Sequence, residues 1–324
     1  MLERFTSRGF APLTLALGLL AFWSTPLMAQ QHDPARTLGH TVLDEPIQVY
    51  RFEQFDVAHG DEARRWRVTL AIPEHPAPAA GFPAVWMLDG NAALMAFDTD
   101  LLETLAERPA PPVLVFLGHA SELRTDPRRR GDYTFTALDG DDTLPPEQRG
   151  GGAEAFLAAL ERRIRPEVER RVPLAPNQQT LWGHSLGGLF VLYTLYTRPD
   201  AFNHYAAASP SLWWHEGALL DAPERVFLAK GVSQPTRVRI TLGGAERARD
   251  HRHRDLNDPR VQAHLARITS VPADAPPRLA ERLAEMANLQ ASYREFPGLG
   301  HGPMLNASLR DALEWGLFTQ EVRP

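Results

Sequence analysis

The sequence predicts an α/β domain with a mostly parallel central sheet, an antiparallel N-terminal edge and helices on both faces. Residues 82–89 and 112–119 are apolar without alternation, which is typical of strands covered on both faces of a parallel sheet. Further along the chain, predicted strands and helices alternate, and that order gives an open, mostly parallel sheet. Residues 66–73 instead alternate polar and apolar side chains, as an edge or antiparallel strand does.

The periodicity of the apolar residues places each element in order. The predicted strands are residues 47–55, 66–73, 82–89, 112–119, 179–183, 204–208, 237–242 and 291–296. The predicted helices are residues 92–107, 153–171, 186–197, 277–290 and 304–318. The long gap from 120 to 152 follows a parallel strand, at the end of the sheet where ligands bind, so we expect it to border a ligand site.

Composition and charge exclude several classes of protein. The 324 residues are 44% hydrophobic and 23% charged, close to the average for folded globular chains. The net charge of -6 argues against a dedicated nucleic-acid binder. Cysteine is absent, which excludes thiol nucleophiles, disulfides and zinc-thiolate sites.

Residues 1–29 are predicted to be a secretory signal peptide. Arg4 and Arg8 precede an apolar run at 11–23, and Ala29 offers a small residue at the expected cleavage point. Leu27 is larger than the residue preferred three positions before the cut, which leaves an uncut N-terminal anchor as the alternative, although the run is short for a bilayer span. No break in composition marks a linker, so residues 30–324 are predicted to form one domain, located in the periplasm.

The motif Gly183-His184-Ser185-Leu186-Gly187 predicts a nucleophile elbow. A predicted strand runs into it and a predicted helix runs out, which is the sharp turn that lifts a serine hydroxyl clear of the backbone. A pentapeptide of this type also occurs by chance, and the alternative is an ordinary glycine-rich turn. The context favours Ser185 as a nucleophile.

A serine hydroxyl needs a base, and in the order serine, acid, histidine that base comes late in the chain. His301 lies between the last predicted strand and the last predicted helix, in a glycine-rich loop. His184 lies inside the elbow and fits less well. We therefore predict His301 as the base.

The acid should follow the strand at 237–242, where Glu246 is the first candidate and Asp250 and Asp255 are alternatives. The run from 250 to 255 also holds His251 and His253, but its two arginines would repel a cation and its spacing matches no metal template. We therefore predict no metal site.

Backbone N–H groups must hold the oxyanion of an acyl-transfer reaction. The residue after the nucleophile, Leu186, supplies one of them, and Asn91 is the candidate for the second because Gly90 lets the chain turn there. Asp89 is expected to fix this loop by accepting backbone hydrogen bonds.

Four stretches in order resemble the esterase branch of the α/β-hydrolases, and within it the periplasmic esterases that open catecholate trilactone siderophores such as enterobactin and salmochelin. They are Trp86-Met87-Leu88-Asp89-Gly90-Asn91-Ala92, Gly183-His184-Ser185-Leu186-Gly187-Gly188-Leu189-Phe190, Ala207-Ala208-Ser209-Pro210-Ser211-Leu212-Trp213-Trp214 and Phe296-Pro297-Gly298-Leu299-Gly300-His301-Gly302. The third is more specific than the elbow. The resemblance implies an α/β-hydrolase fold, with Ser185 and His301 as nucleophile and base.

The same resemblance implies a serine esterase that hydrolyses a trilactone siderophore through an acyl-enzyme, without a cofactor, since any iron arrives with the substrate. The family's Arg-Asp-Tyr-Thr-Pro stretch departs here at Gly131 and Phe135. An anionic, aromatic substrate calls for guanidinium groups and aromatic faces. We expect them from Arg130, Trp213 and Trp214; further arginines of this loop are Arg124, Arg128 and Arg129. The alternative is that the arginines form a solvated face and that the two tryptophans pack a helix against the sheet.

Two other functions stay open at this point. The same site would also serve a general exported carboxylesterase or acyltransferase acting on small acyl esters. A non-catalytic protein that binds ferric siderophores is the alternative of another class, but such a protein has no chemical need for Ser185 and His301.

Overall fold

A computed structural model describes residues 35–59, 61–135, 149–248 and 255–317. The predicted signal peptide, residues 1–29, lies outside the described residues. Within them, no helix combines the length and the apolar character that a membrane crossing requires.

The described strands form one twisted sheet in the order β1-β2-β4-β3-β5-β6-β7-β8. The strands are β1 (Tyr50–His59), β2 (Asp61–Pro73), β3 (Phe82–Leu88), β4 (Val113–His119), β5 (Leu174–His184), β6 (His204–Ala208), β7 (Thr236–Gly243) and β8 (Leu289–Phe296). β2 is antiparallel to both β1 and β4, and all other neighbouring pairs are parallel. The predicted fold class, with its antiparallel N-terminal edge, is confirmed.

Helices cover both faces of this sheet. They are α1 (Gly90–Leu94), α2 (Thr99–Ala106), α3 (Arg129–Tyr133), α4 (Ala153–Ala159), α5 (Arg165–Glu169), α6 (Leu186–Thr197), α7 (Ala222–Lys230), α8 (Gly244–Arg247), α9 (Pro259–Ile268), α10 (Ala275–Ala284) and α11 (His301–Leu317). The apolar side chains of α4, α5, α6 and α10 pack on one face, and those of α1, α2 and α11 pack on the other. Burial on both faces explains why β3 and β4 are apolar throughout.

Two predicted helices are interrupted, each for a local reason. The helix expected at 92–107 is two helices, because the side chain of Asp98 accepts a hydrogen bond from the N–H of Leu101 and caps the start of α2. Between α4 and α5 lies one π-helical stretch, Leu160–Ile164. Pro166 follows it and has no N–H to donate back along an α-helix, which favours the wider turn.

Five adjacent parallel strands end at the same edge of the sheet. β3 leads into the loop at Asp89, β5 into Ser185, β6 into Ser209, β7 into the turn before Glu246, and β8 into the loop before His301. Parallel strands present their carboxyl ends together, so residues far apart in sequence meet there.

Candidate active site

Ser185 stands on a sharp turn between β5 and α6. Its backbone has φ 62° and ψ -117°, a conformation that L-residues rarely adopt. The turn is possible because two glycines meet: a Cβ at Gly183 would lie 2.5 Å from the carbonyl of Gly187. The predicted elbow is therefore present in its strained form, with the serine hydroxyl at the end of the sheet.

Ser185, His301 and Glu246 form one hydrogen-bonded chain. The Oγ of Ser185 lies 3.0 Å from the Nε2 of His301, and the Nδ1 of His301 lies 2.5 Å from the Oε2 of Glu246. The imidazole side chain is 43% exposed whereas the carboxylate is only 15% exposed. The structure thus brings together the three residues predicted as nucleophile, base and acid, with the base open to a substrate and the acid shielded.

The carboxylate of Glu246 is held on both oxygens. Its Oε1 accepts hydrogen bonds from the Oγ of Ser209 at 2.6 Å and from the N–H of Gly243 at 3.1 Å. Burial opposes the ionised form, but attraction by His301 and these hydrogen bonds outweigh it, so the pKa of Glu246 is lowered below its ordinary value. Asp255, the described alternative, is exposed on the surface, while Asp250, His251 and His253 lie outside the described residues.

His184 packs against the predicted base. The two imidazole rings have centroids 4.5 Å apart, and the Nε2 of His184 is buried without a hydrogen-bond partner among the described residues. Burial, followed by the nearby charges of His301 and Arg129, lowers the pKa of His184 well below its ordinary value. A neutral ring at this position supports His301 without repelling its protonated form.

The two predicted oxyanion-hole residues lie at the start of the helices that follow the neighbouring strands β3 and β5. Asn91 lies in the first turn of α1 and Leu186 in the first turn of α6, where backbone N–H groups have no partner within their helix. The side chain of Asn91 donates to the carbonyls of Ser121 and Leu123. These bonds tie the loop after β3 to the loop after β4 and fix the direction of its N–H groups.

Asp89 fixes this loop differently from the expectation. Its carboxylate does not cap the backbone of α1; it accepts two hydrogen bonds from Arg129, each 2.6 Å long. Arg129 also donates to the carbonyl of His184 at 3.2 Å, and the N–H of Asp89 donates to the hydroxyl of Tyr133 at 3.1 Å. Asp89 has a left-handed backbone, φ 53°, and therefore lacks the extended backbone from which an N-cap side chain ordinarily accepts its hydrogen bond.

α3 is itself anchored to the sheet by Asp132. The carboxylate lies 2.9 Å from the Nε2 of His119 at the end of β4 and accepts a 2.7 Å hydrogen bond from the indole of Trp66. Arg129 therefore reaches the elbow from a fixed support.

Of the predicted substrate-binding residues, Trp214 lies inside the protein, which is a correction to the expected aromatic face. It is 4% exposed, its indole N–H donates to the carbonyl of Phe135, and the guanidinium of Arg130 lies 4.8 Å from its ring centre. Trp213 is partly buried against the same core. The role of Arg130 and Trp213 in binding stays a prediction.

The other arginines of the loop differ in what they contact. Arg128 bonds to Asp126, and Arg129 to Asp89. Arg124 is partly buried and, among the described residues, its guanidinium makes no hydrogen bond or ion pair, although Asp89 and Arg129 are near enough to influence it. Among Arg124, Arg128 and Arg129, Arg124 is thus the one whose guanidinium has no ion-pair partner in the described part of the chain.

The segment after β6 makes two contacts that were not predicted from the sequence. Ser209 bonds to Glu246, and the Oγ of Ser211 lies 3.3 Å from the Oγ of Ser185. The motif Ala-Ser-Pro-Ser-Leu-Trp-Trp marked this segment as specific to the family. Its residue types alone did not indicate that the two serines would contact the catalytic residues.

Comparison with known proteins agrees with this geometry. The model of the family described as "Putative esterase" matches residues 62–298, well over half of the chain. The chain belongs to this family of esterases. The predicted family and the predicted class, a carboxylic ester hydrolase, are confirmed.

Individual relatives span most of the esterase. This chain is 34% identical over 282 residues to the apo-salmochelin esterase of Escherichia coli O6:H1, and the match covers 86% of this chain and 83% of the relative. It is 31% identical over 269 residues to the ferri-bacillibactin esterase BesA of Bacillus subtilis, covering 79% and 86%. The solved structure of the enterobactin and salmochelin hydrolase IroE is 32% identical with a TM-score of 0.62, covering 85% of this chain and 98% of that structure.

Proposed function

We propose that this esterase hydrolyses the ester bonds of a catecholate trilactone siderophore through an acyl-enzyme on Ser185. The observation that carries the catalytic part is the hydrogen-bonded chain from Ser185 through His301 to Glu246. A nucleophile within 3.0 Å of a base, whose other nitrogen faces a carboxylate, is the arrangement that activates a serine.

The first half of the reaction forms the acyl-enzyme. The Nδ1–H of His301 donates to Glu246, which leaves Nε2 free to accept the proton of Ser185 as its Oγ attacks the ester carbonyl. Ionised Glu246 stabilises the imidazolium that results. The tetrahedral intermediate collapses when the bond to the alcohol breaks, and His301 gives its proton to that leaving oxygen.

The second half reverses these roles. Water attacks the acyl carbonyl while His301 takes one of its protons, and the proton returns to the Oγ of Ser185 as the acid departs. In both halves the N–H groups of Asn91 and Leu186 would stabilise the negative oxygen of the tetrahedral intermediate.

The substrate class is proposed from the relatives and from charge. The apo-salmochelin esterase, the ferri-bacillibactin esterase and the enterobactin and salmochelin hydrolase are all named for siderophore substrates. A ferric triscatecholate is strongly anionic, and Arg124 offers a guanidinium without an ion-pair partner among the described residues. This cation would attract the charged part of the substrate beside the elbow.

We also propose that the esterase acts in the periplasm. The signal-like segment at residues 1–29 supports this location. Expression of the full chain in a Gram-negative host, followed by fractionation and intact mass measurement, tests it: the expected periplasmic product starts at Gln30. A full-length product in the membrane fraction would favour the uncut anchor.

Chromatographic product analysis tests the substrate directly. The mature esterase and its Ser185→Ala variant are incubated with enterobactin in iron-loaded and iron-free forms. Linear trimer, dimer and monomer should accumulate with the wild type only. Unchanged trilactone, under conditions where the wild type still cleaves p-nitrophenyl butyrate, would overturn the substrate assignment and favour a general carboxylesterase or an acyltransferase.

A further inference from the structure

The segment Ser209-Pro210-Ser211 touches both ends of the catalytic chain. Ser209 donates to the acid, and the Oγ of Ser211 lies 3.3 Å from the Oγ of the nucleophile Ser185. Ser211 is 1% exposed, so its hydroxyl has little access to solvent. Buried polar groups need hydrogen-bond partners, and the hydroxyl of Ser211 has the reacting oxygen as its neighbour. This position suggests that Ser211 takes part in the reaction.

The backbone fixes the position of Ser211. Its N–H donates to the carbonyl of Ser185 at 3.1 Å, and the N–H of Ser185 donates to the carbonyl of Ala208 at 2.9 Å. Ser209 has φ 40°, in the left-handed region, and this turns the chain from β6 toward the elbow.

Gly188 allows this close approach. A Cβ at that position would lie 2.7 Å from the carbonyl oxygen of Ala208 and 3.1 Å from the Cα of Pro210. The second glycine after Leu186 thus makes room for the segment that carries Ser211.

The direction of the hydrogen bond between the two hydroxyls follows from the triad. Because the Nδ1–H of His301 faces Glu246, its Nε2 is an acceptor and takes the hydroxyl proton of Ser185. The Oγ of Ser185 can then only accept from its second neighbour. Ser211 is therefore the donor, and its proton points at a lone pair of the nucleophilic oxygen.

We propose that Ser211 is a catalytic residue that stabilises the Oγ of Ser185 as it leaves the acyl group during deacylation. This inference rests on the proposed acyl-enzyme mechanism. When the second tetrahedral intermediate collapses, the bond between the acyl carbon and Oγ breaks and its electron pair moves onto Oγ, which receives a proton from His301. Ser211 keeps its own proton throughout and contributes a hydrogen bond that strengthens as charge gathers on Oγ.

The two half-reactions should depend on Ser211 to different extents. During acylation, a hydrogen bond to Oγ stabilises the negative charge that the oxygen gains as it loses its proton, but it also makes the oxygen a weaker nucleophile. These two effects oppose each other. During deacylation, Oγ is the leaving group and the hydrogen bond only helps. With an ester that has a good leaving group, acylation is fast and kcat reports deacylation.

Stopped-flow kinetics of p-nitrophenyl butyrate hydrolysis by Ser211→Ala test this assignment. Hydrogen bonds to charged groups are stronger than those between neutral groups, so the loss of this one should lower kcat by roughly 10-fold or more. KM should fall with it, leaving kcat/KM within about threefold, because kcat/KM reports acylation alone. A burst of one p-nitrophenolate per active site should precede the slow steady state.

Ser209→Ala is the matched control, because Ser209 contacts Glu246 and not the nucleophile. It should lower kcat and kcat/KM together and show no enlarged burst. Thermal unfolding of both variants verifies that the fold is kept. A Ser211→Ala enzyme with unchanged kcat, or with kcat/KM reduced as much as kcat, would overturn the role of Ser211. Activity persisting in Ser185→Ala would overturn the proposed function instead.

Discussion

Arg129 donates two hydrogen bonds of 2.6 Å to Asp89. This pair connects the loop that contains Asn91 to the elbow that contains Ser185. The third bond of Arg129, to the carbonyl of His184, completes that link. The two side chains are 12% and 8% exposed, so solvent screens their charges little. The relative position of the two proposed oxyanion donors thus depends on one buried ion pair.

Arg129→Met should destabilise the fold strongly, because it leaves the carboxylate of Asp89 buried without its partner. Breaking a buried pair in this way costs about 3–5 kcal/mol of unfolding free energy, measured by urea denaturation. In the folded fraction, kcat should fall at least roughly 10-fold because the proposed oxyanion hole loses its support.

The control for Arg129 is Arg67→Met, since Arg67 pairs with Asp56 near the surface, where both side chains are more than a quarter exposed. That change should cost less than about 1 kcal/mol. Equal losses of stability in the two variants would contradict a special role for the pair of Arg129 and Asp89.

Glu246→Gln tests the acid of the triad. The amide cannot stabilise the protonated form of His301, so kcat on p-nitrophenyl butyrate should fall by about 10⁴-fold, the loss that follows when a triad carboxylate is neutralised. Asp255→Asn, the exposed alternative, should leave kcat unchanged. If Asp255→Asn lowered kcat more than Glu246→Gln did, the acid of the triad would be one of the later acidic residues and not Glu246.

Arg124→Gln should change charge selectivity. Burial, and then the neighbouring charge of Arg36, lower the pKa of Arg124, so this guanidinium is poorly solvated and gains from an anionic partner. The variant should lose about 10-fold in kcat/KM on mono-p-nitrophenyl glutarate, an anionic ester, equivalent to about 1.4 kcal/mol. Hydrolysis of neutral p-nitrophenyl butyrate should stay within about twofold of the wild type.

Arg225→Gln is the control for Arg124, because this arginine lies on α7 and pairs with Asp221 at the surface. It should affect neither ester. If Arg124→Gln reduced hydrolysis of both esters equally, Arg124 would support the structure of the loop and would not bind the negative charge of the substrate.

Asp126 gives the loop a pH-dependent stability. Burial raises its pKa, but hydrogen bonds from Arg128 outweigh that effect and lower the pKa from 3.8 to about 2. A lowered carboxyl pKa stabilises the fold above the unfolded-state value, and that stability is lost as pH falls through the folded-state value. Asp126→Asn should therefore be less stable than the wild type by about 1–2 kcal/mol at pH 7.

Urea denaturation of both proteins at several pH values measures this difference. The difference should persist down to about pH 4 and shrink between about pH 4 and pH 2. A difference that stays constant or grows on acidification would contradict the assigned ion pair.

The residues that could be predicted from the sequence are those that a short local pattern of residue types identifies. Ser185 was found because glycines at fixed spacing permit its strained backbone, and His301 because it follows the last strand of the sheet. β3 and β4 were found because burial on both faces makes them apolar throughout. In each case the local sequence and the fold impose the same constraint.

Contacts between distant segments were not predictable in the same way. Trp214 was a candidate for substrate binding because its residue type suits an aromatic ligand, yet its side chain is buried and its indole N–H donates to the carbonyl of Phe135. Ser211 meets Ser185 only through the pairing of β5 with β6 and the turn at Ser209. Asp98 divides a helix that periodicity alone made continuous, because a capping bond outweighed the apolar pattern.

The central claim, that Ser185 is the nucleophile, is tested most directly by covalent labelling with a fluorophosphonate and peptide mass mapping. The predicted result is one phosphonyl group per chain, located on Ser185, with activity lost in proportion to labelling and no labelling of Ser185→Ala. Labelling at another residue, or full labelling with retained esterase activity, would contradict the mechanism.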